Sequence, residues 1–242
     1  MKNIAVILAG GRGMRTGYAV PKQFHKIAGR AVIEYTIDAF EQNSHIDEIA
    51  VVMNSTCIDE MRSLMARNTW HKVKKILKGG AERYNSTLSA IAAYDGGEEV
   101  NLIFHDAVRP LVSQQIIDNV TIAMKQYEAV AVAVASTDTI FCVDEAGAVI
   151  KNIPQRKYLR RAQTPQAFRL SVIKEAYRRA TADEHFVSTD DCGTVVKYMP
   201  EVAVHVIAGE DDNIKLTYKE DAYLIEKLLQ LKNSATSFEF SN

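Results

Sequence analysis

The sequence predicts an α/β fold built around a mostly parallel sheet. Short apolar runs rich in β-branched residues alternate with longer amphipathic stretches, which is the pattern of strands joined by crossover helices. Several of the short runs are apolar almost throughout, as strands must be when helices cover both faces of a sheet. The 242 residues suffice to bury a substantial core of this kind.

The individual elements follow from this pattern in chain order. The predicted strands are Ile4–Leu8, Glu48–Met53, Val73–Leu77, Val100–His105, Ala129–Ala135 and Val202–Ile207. The predicted helices are Ala31–Gln42, Ile58–Arg67, Tyr84–Tyr94, Gln114–Tyr127, Leu170–Ala180 and Tyr218–Leu231. Thr217-Tyr218-Lys219-Glu220 has the residue types of a capping box, which predicts that the last helix begins there.

The segment 138–163 breaks the alternation because it has no long helical pattern. Thr139–Val143 and Ala148–Asn152 flank a turn-like Asp144-Glu145-Ala146-Gly147, which predicts a β-hairpin. Such an excursion serves as a lid, as an oligomerisation arm or as a decorative insertion, and the pattern alone leaves all three open. We therefore expect one domain over residues 1–232, with 138–163 as a β-arm and 233–242 as a flexible tail.

Composition argues against several classes of protein. A formal net charge of −1 gives no basic excess for a nucleic-acid partner, and no apolar run reaches the roughly 20 residues that span a bilayer. Cys57, Cys142 and Cys192 are far apart, so they form neither zinc spacing nor an obvious disulfide framework. The first apolar run is too short for a secretory signal. We expect a cytoplasmic protein without nucleic-acid or membrane partners.

A glycine-rich loop follows the first predicted strand. In Ala9-Gly10-Gly11-Arg12-Gly13-Met14-Arg15, three glycines in four positions allow a tight turn whose N–H groups bind phosphate oxygens. Arg15 and the nearby Lys22 could neutralise a triphosphate. The loop lacks the Gly-Lys-Ser/Thr ending of a Walker A motif and the Gly-x-Gly-x-x-Gly spacing of dinucleotide sites. A purely structural turn is the alternative.

These residues resemble a known signature. Leu8-Ala9-Gly10-Gly11-x-Gly-x-Arg15 followed by Pro21-Lys22-Gln23-Phe24 is similar to the nucleotidyltransferases with a GT-A-like fold, a three-layer, Rossmann-like sandwich. More narrowly, it resembles cytidylyltransferases that act on 2-C-methyl-D-erythritol 4-phosphate or ribitol 5-phosphate. The further matching motifs are Gly79-Gly80-Ala81-Glu82-Arg83-Tyr84-Asn85-Ser86, His105-Asp106-Ala107-Val108-Arg109-Pro110, Asp138-Thr139, Arg156, Gln163-Thr164-Pro165-Gln166, Thr189-Asp190-Asp191 and Asn213-Ile214-Lys215.

The resemblance implies attack by a phosphate oxygen of the acceptor on the α-phosphorus of CTP, a reaction that needs positioning and charge stabilisation. The implied catalytic cations are Arg15, Lys22, Arg156 and Lys215. The implied nucleotide-binding residues are Leu8, Ala9, Gly10, Gly11, Gly13, Met14, Gly80, Ala81, Ser86 and Ala107, with Ala81 a departure from the Asp that relatives often carry. The implied acceptor-binding residues are Arg109, Thr139, Arg156, Thr164, Thr189 and Lys215.

Asp106 is the candidate ligand for Mg²⁺ because it ends an apolar strand, where ligands bind in such folds. The alternative is an ion pair with Arg109 that holds the loop. The neighbouring His105 could act as a base, although a packed, structural role is favoured because nothing in the reaction requires one. The resemblance also implies a homodimer through the 138–163 arm, with Thr139 and Arg156 serving the neighbouring subunit's site.

Three local features favour ribitol 5-phosphate over 2-C-methyl-D-erythritol 4-phosphate as the acceptor: the Leu-Ala-Gly-Gly start of the loop, Val108, and the lack of basic residues around Asp138-Thr139. The short gap between Arg15 and Lys22 favours the methylerythritol phosphate. Two other functions stay open. One is a catalytically silent nucleotide-binding homologue, and the other is an enzyme that uses UTP or GTP on a hexose phosphate.

Overall fold

The computed structural model describes residues 1–11, 20–80 and 82–239, with side chains as far as residue 232. In this part of the chain the strands are β1 (Lys2–Ala9), β2 (Lys26–Ile27), β3 (Arg30–Ala31), β4 (Glu48–Met53), β5 (Val73–Lys78), β6 (Val100–Asp106), β7 (Ala129–Ala135), β8 (Cys142–Val143), β9 (Ile150–Asn152), β10 (Arg160–Arg169) and β11 (Val204–Ala208). The α-helices there are α1 (Val32–Gln42), α2 (Ile58–Arg67), α3 (Arg83–Tyr94), α4 (Gln114–Ala123), α5 (Leu170–Thr181), α6 (Asp191–Tyr198) and α7 (Lys219–Glu239).

Seven strands form the central sheet in the order β11-β7-β10-β6-β1-β4-β5. Every neighbouring pair is parallel except the two that β10 makes, which are antiparallel. The predicted mostly parallel sheet is therefore confirmed. The chain first winds outward from β1 to β4 and β5, and then returns through α3 to place β6 on the other side of β1. This reversal opens a crevice at the carboxyl ends of β1 and β6, where open α/β sheets bind ligands.

Helices cover both faces of the sheet, as the apolar strands predict. Along β1, Ala5 and Ile7 belong to the buried cluster that contains the apolar sides of α1, α2 and α4. The intervening Ile4 and Val6 point to the other face and join the cluster formed with α3, α5 and α6. The result is the three-layer sandwich that the sequence predicts.

A third buried cluster lies between the last helix and the crevice. It contains Val108 after β6, Leu216 before α7 and Ile225 within α7. The predicted capping box is wrong by one residue: the carboxylate of Asp221, and not that of Glu220, accepts the N–H groups of residues 217 and 218 at 2.7 Å each. The helix also runs eight residues beyond its predicted end at Leu231, because no Gly or Pro follows to stop it.

The predicted hairpin is present, with shorter strands than expected. The antiparallel strands β8 and β9 form a separate two-stranded ribbon, in which Cys142 pairs with Asn152 and Val143 with Ile150. Gly147 takes a positive φ of 71° in the turn between them, a conformation that glycine adopts without steric cost. None of the helices in the described part of the chain combines the length and apolarity that a bilayer crossing requires.

Candidate active site

A cavity of about 250 Å³ lies in the crevice between β1 and β6. Its described lining residues are Leu8, Ala9, Gly10, Gly11, Lys22, Gln23, Gly80, Glu82, Arg83, Ser86, Asp106, Val108 and Lys215. The lining thus comes from the glycine loop, the Lys22–Gln23 segment, the start of α3, the end of β6 and the loop before α7. These separate segments of the sequence are brought together at one edge of the sheet.

Close approach of two backbone segments shapes one wall of the cavity. The hydroxyl of the buried Ser86 lies close to both Gly10 and Gly79. A Cβ added to Gly10 would lie 3.0 Å from Ser86 Oγ, and one added to Gly79 would lie 2.7 Å from it. Glycine at both positions leaves room for the Ser86 hydroxyl. The buried Gln23 fixes the end of β1, because its side-chain amide donates a hydrogen bond to the Ala9 carbonyl at 3.0 Å.

The floor of the cavity holds a buried carboxylate among cations. Asp106 Oδ2 lies 2.9 Å from Lys215 Nζ and 3.5 Å from Arg109 Nε. Burial alone would raise the pKa of Asp106, but the charges of Lys215, Arg83 and Arg109 outweigh desolvation and hold that pKa well below its ordinary value. The carboxylate is therefore ionised at neutral pH. The ion pair with Arg109 that was the alternative for Asp106 is present, and Asp106 also lines the cavity.

A short hydrogen-bonded chain positions Asp106 from behind. Thr164 Oγ1 accepts the backbone N–H of Asp106 at 3.1 Å and lies 3.0 Å from Nδ1 of the fully buried His105. His105 Nε2 lies 3.1 Å from the Arg109 carbonyl, which can only accept, so the proton is on Nε2 and Nδ1 accepts from the Thr164 hydroxyl. Burial lowers the pKa of His105 to about 4. The favoured structural role of this histidine is what the geometry supports.

The loop that carries Lys215 is anchored through a buried asparagine. The Asn213 side-chain amide donates to the Thr164 carbonyl at 2.9 Å and to Gln163 Oε1 at 3.2 Å. The Asn213 carbonyl accepts from Arg109 Nη1 at 2.7 Å, and the Leu216 N–H bonds to the Val108 carbonyl at 2.8 Å. These bonds tie the loop to both β10 and the segment after β6, so Lys215 is held beside Asp106.

Nine of the fifteen predicted site residues that the structure describes line the cavity. Those that line it are Leu8, Ala9, Gly10, Gly11, Lys22, Gly80, Ser86, Asp106 and Lys215. Thr164 and Arg109 lie directly beside Asp106. Ala107 is fully buried beneath it, with its N–H bonded to the Leu8 carbonyl at 3.0 Å and its carbonyl to the Thr36 hydroxyl at 2.9 Å. The predictions for Gly13, Met14, Arg15 and Ala81 fall outside the described residues.

Besides Thr164 and Arg109, three further predicted acceptor residues are not among the described lining of this cavity. Thr139 and Arg156 are exposed on the segment 138–163, where Arg156 Nη1 donates to the Thr137 carbonyl at 3.0 Å. Thr189 is exposed just before α6, where Asp190 caps the helix by accepting the Gly193 N–H at 2.7 Å. The capping role considered for one of the two aspartates is therefore confirmed for Asp190.

Gln23, Glu82, Arg83 and Val108 also line the cavity, although their motifs gave no role to them individually. Of these four residues, Arg83 differs in having a buried charged partner: its guanidinium pairs with the fully buried Asp191. The sequence did carry a signal for these residues, because each lies in a quoted motif, one or two positions from a residue with an assigned role. Among the described residues no group of three or more His, Cys, Asp or Glu side chains could hold a metal ion by itself.

Comparison with known proteins identifies the family. The family model described as "IspD: 2-C-methyl-D-erythritol 4-phosphate cytidylyltransferase" matches residues 3–231. The chain belongs to this cytidylyltransferase family. It is therefore a CTP-dependent nucleotidyltransferase, as the resemblance of its motifs implies.

The cytidylyltransferase relatives differ in the acceptor that their names give. A 2-C-methyl-D-erythritol 4-phosphate cytidylyltransferase of Thermobifida fusca is 43% identical over 230 residues, which cover 93% of this chain and 92% of that protein. A bifunctional ribulose 5-phosphate reductase/CDP-ribitol pyrophosphorylase of Haemophilus influenzae is 42% identical over 233 residues, which cover 96% of this chain and 49% of that protein. The chain thus spans about half the length of the bifunctional relative.

A solved structure shares the cytidylyltransferase fold. The 4-diphosphocytidyl-2C-methyl-D-erythritol synthase of Anaerococcus prevotii superimposes with a TM-score of 0.82 at 30% sequence identity. The match covers 95% of this chain and 96% of that chain.

Proposed function

We propose that this cytidylyltransferase transfers CMP from CTP to 2-C-methyl-D-erythritol 4-phosphate. A phosphate oxygen of the acceptor forms a bond to the α-phosphorus, the bond between that phosphorus and the bridging oxygen breaks, and pyrophosphate leaves with the electron pair. The observation that supports the cytidylyl transfer is the cavity itself, where a glycine loop and the cations Lys22, Arg83 and Lys215 surround the ionised Asp106. Such fixed charges stabilise a transition state in which negative charge develops.

The proposed roles follow from where each residue lies. Lys22 lies beside the glycine loop, so it is placed to balance charge on the triphosphate. Lys215 lines the same cavity against Asp106 and is placed to receive the acceptor's phosphate. Thr164 and Arg109 hold this side in position. A phosphate monoester is already a nucleophile, so the protein's task is to align oxygen and phosphorus.

Asp106 fits the role of a magnesium ligand shared with the nucleotide. Mg²⁺ in phosphoryl-transfer sites is held by one or two carboxylates together with substrate phosphates and waters, so a cage of protein ligands is not needed. Asp106 supplies one ionised carboxylate, facing the cavity. When bound, the ion would neutralise charge on the triphosphate.

The choice of acceptor substrate in this proposal is based on the comparisons with known proteins. The family description and the Thermobifida fusca relative favour 2-C-methyl-D-erythritol 4-phosphate over the ribitol 5-phosphate that the local sequence features predict. Ribitol 5-phosphate stays the second candidate, because the Haemophilus influenzae relative is almost as similar and its name includes CDP-ribitol. The two acceptors are close in size and charge, so a few contacts decide between them.

A homodimer is the proposed assembly. The segment 138–163 exposes Ile140, Phe141, Val143, Val149, Ile150, Ile153 and Tyr158, each between 44% and 74% accessible. So many large apolar side chains on one exposed segment favour an interaction surface. Thr139 and Arg156 lie on the same segment, away from the cavity of their own chain, so we propose that they complete the acceptor site of a second copy.

Pyrophosphate release tests the function. The protein is mixed with CTP and Mg²⁺, and the two polyol phosphates are supplied in parallel reactions. We expect release with 2-C-methyl-D-erythritol 4-phosphate and a kcat/KM at least tenfold lower with ribitol 5-phosphate. The reverse preference would establish the second candidate. No release with either acceptor, under conditions in which CTP binds, would support the silent homologue, and release with UTP and a hexose phosphate would overturn the assignment.

A further inference from the structure

Arg83 belongs to the wall of the nucleotide cavity but has no assigned role in the reaction. It is the first residue of α3, and it lines the cavity between Gly80 and Ser86. Its side chain is 28% exposed, so the guanidinium is neither solvated freely nor sealed in the core. A cation at this depth is held by specific partners, and those partners decide where its remaining N–H groups point.

The partner of Arg83 is the carboxylate of Asp191, which is fully buried. Its two oxygens have separate partners. Oδ2 pairs with Arg83 Nη1, whereas Oδ1 accepts from the Thr87 hydroxyl at 2.8 Å and from the Tyr177 hydroxyl at 2.7 Å. The carboxylate therefore joins α3, α5 and α6 behind the cavity wall. A buried charge requires such complete pairing, because no water is present to replace a missing partner.

Arg83 engages Asp191 through Nη1 and is also a lining residue of the cavity. Arginine carries five N–H donors in a planar fork, a geometry that suits phosphate oxygens. Arg83 also interacts electrostatically with Asp106, which is on the side of the cavity where Lys215 lies. Its charge thus adds to those of Lys22 and Lys215 around one ligand volume of about 250 Å³.

We propose that Arg83 donates hydrogen bonds to the triphosphate of CTP and that Asp191 is the residue that positions it. This inference rests on the proposed function, because it takes CTP as the nucleotide. Asp191 acts through Arg83 and does not touch the ligand. Thr87 and Tyr177 hold the other oxygen of Asp191 and so contribute to stability without setting the direction of the guanidinium.

Binding measurements test this without turnover. The wild-type protein, Arg83→Gln and Asp191→Asn are titrated with CTP and with cytidine, which has the same base and sugar but no phosphate. Because a hydrogen bond to a charged group contributes about 1.5–3 kcal/mol, Arg83→Gln should weaken CTP binding about tenfold or more and leave cytidine binding unchanged. Asp191→Asn should weaken CTP binding in the same direction. Arg30→Gln is the matched control, since Arg30 pairs with Asp38 at 2.6 Å on another part of the surface.

Tyr177→Phe separates positioning from packing, because it removes a bond to Oδ1 and leaves Arg83 on Oδ2. It should lower the melting temperature and keep CTP affinity within about twofold. Equal loss of CTP and cytidine binding in Arg83→Gln, or unaltered CTP binding, would overturn the contact with the triphosphate. A loss in Tyr177→Phe as large as in Asp191→Asn would overturn the positioning role. Wild-type protein that does not bind CTP would overturn the proposed function as well.

Discussion

Asp106 and Lys215 illustrate how single side chains keep the cavity charged. A buried, ionised carboxylate is costly unless it is paired, and Lys215 and Arg109 supply that pairing at 2.9 Å and 3.5 Å. If a divalent cation binds Asp106, it can replace the ammonium group of Lys215 as the partner of this carboxylate. Lys215 can then pair with an anionic ligand, and no charge is left unmatched. The ion pair is therefore compatible with both the magnesium role and the acceptor role proposed above.

Lys22 is the residue at which charge stabilisation can be tested most directly. Lys22→Ala should lower kcat about 100-fold, because loss of one preorganised charge stabiliser typically costs two to three powers of ten. Steady-state kinetics with CTP and the better acceptor measures this. Lys26→Ala is the control, since Lys26 is a nearby but exposed lysine that should leave kcat unchanged. Near-normal turnover in Lys22→Ala would remove the proposed role.

At the scale of elements, β10 links the hairpin segment to the active site. Its first residues pair with β7, and four residues further on Thr164 contacts Asp106 and His105. The sequence did not predict β10 because Pro165 interrupts it and polar residues occupy its first half; the structure places this proline at a register shift, where a missing N–H is tolerated. Helix α6 was missed because it has eight residues and contains Gly193.

The exposed segment 138–163 carries the prediction for assembly. A double substitution, Phe141→Asp with Ile150→Asp, should produce a monomer with little activity. Two charges on the apolar surface oppose its burial, and the proposed shared site would take Thr139 and Arg156 from a neighbour. Size-exclusion chromatography with light scattering and the pyrophosphate assay measure the two effects. Val187→Asp, at another exposed apolar position, should change neither. An active monomer would contradict the shared site.

For the whole molecule, the sequence predicted the architecture better than the site. Apolar strands and amphipathic helices are repeated signals, so the layers, the parallel sheet and the cavity edge follow from them. Part of the cavity lining could also be predicted, because the motifs contain glycines, residues at the ends of strands and cations near them. The network of Arg83 with Asp191 could not be predicted in this way, because the two residues are 108 positions apart and only the packing of α3 against α5 and α6 brings them together.

The folded state as a whole should lose stability in mild acid through His105. Its pKa is about 4 in the folded protein, because of burial, against an ordinary value of 6.5, so the unfolded chain takes up the proton first as the pH falls. Stability is thus lost between about pH 6.5 and 4, by up to about 3 kcal/mol from this group.

Urea denaturation at several pH values measures the loss. His105→Gln should be less stable at pH 7 but should show a shallower decline between pH 6.5 and 4, since it removes the group that titrates. His45→Gln, at an exposed histidine, should keep the wild-type slope. A His105→Gln protein with the same slope as the wild type would show that other groups dominate this window.

The contact of Ile225 with Val108 and Leu216 has a consequence during synthesis. Every described residue of the cavity wall precedes α7 in the chain, yet the apolar backing of that wall includes α7 itself. A chain whose synthesis ends before Lys219 would contain all of these side chains but would lack the support behind the loop that holds Lys215. Such a fragment should not bind nucleotide, so incomplete chains would not sequester CTP.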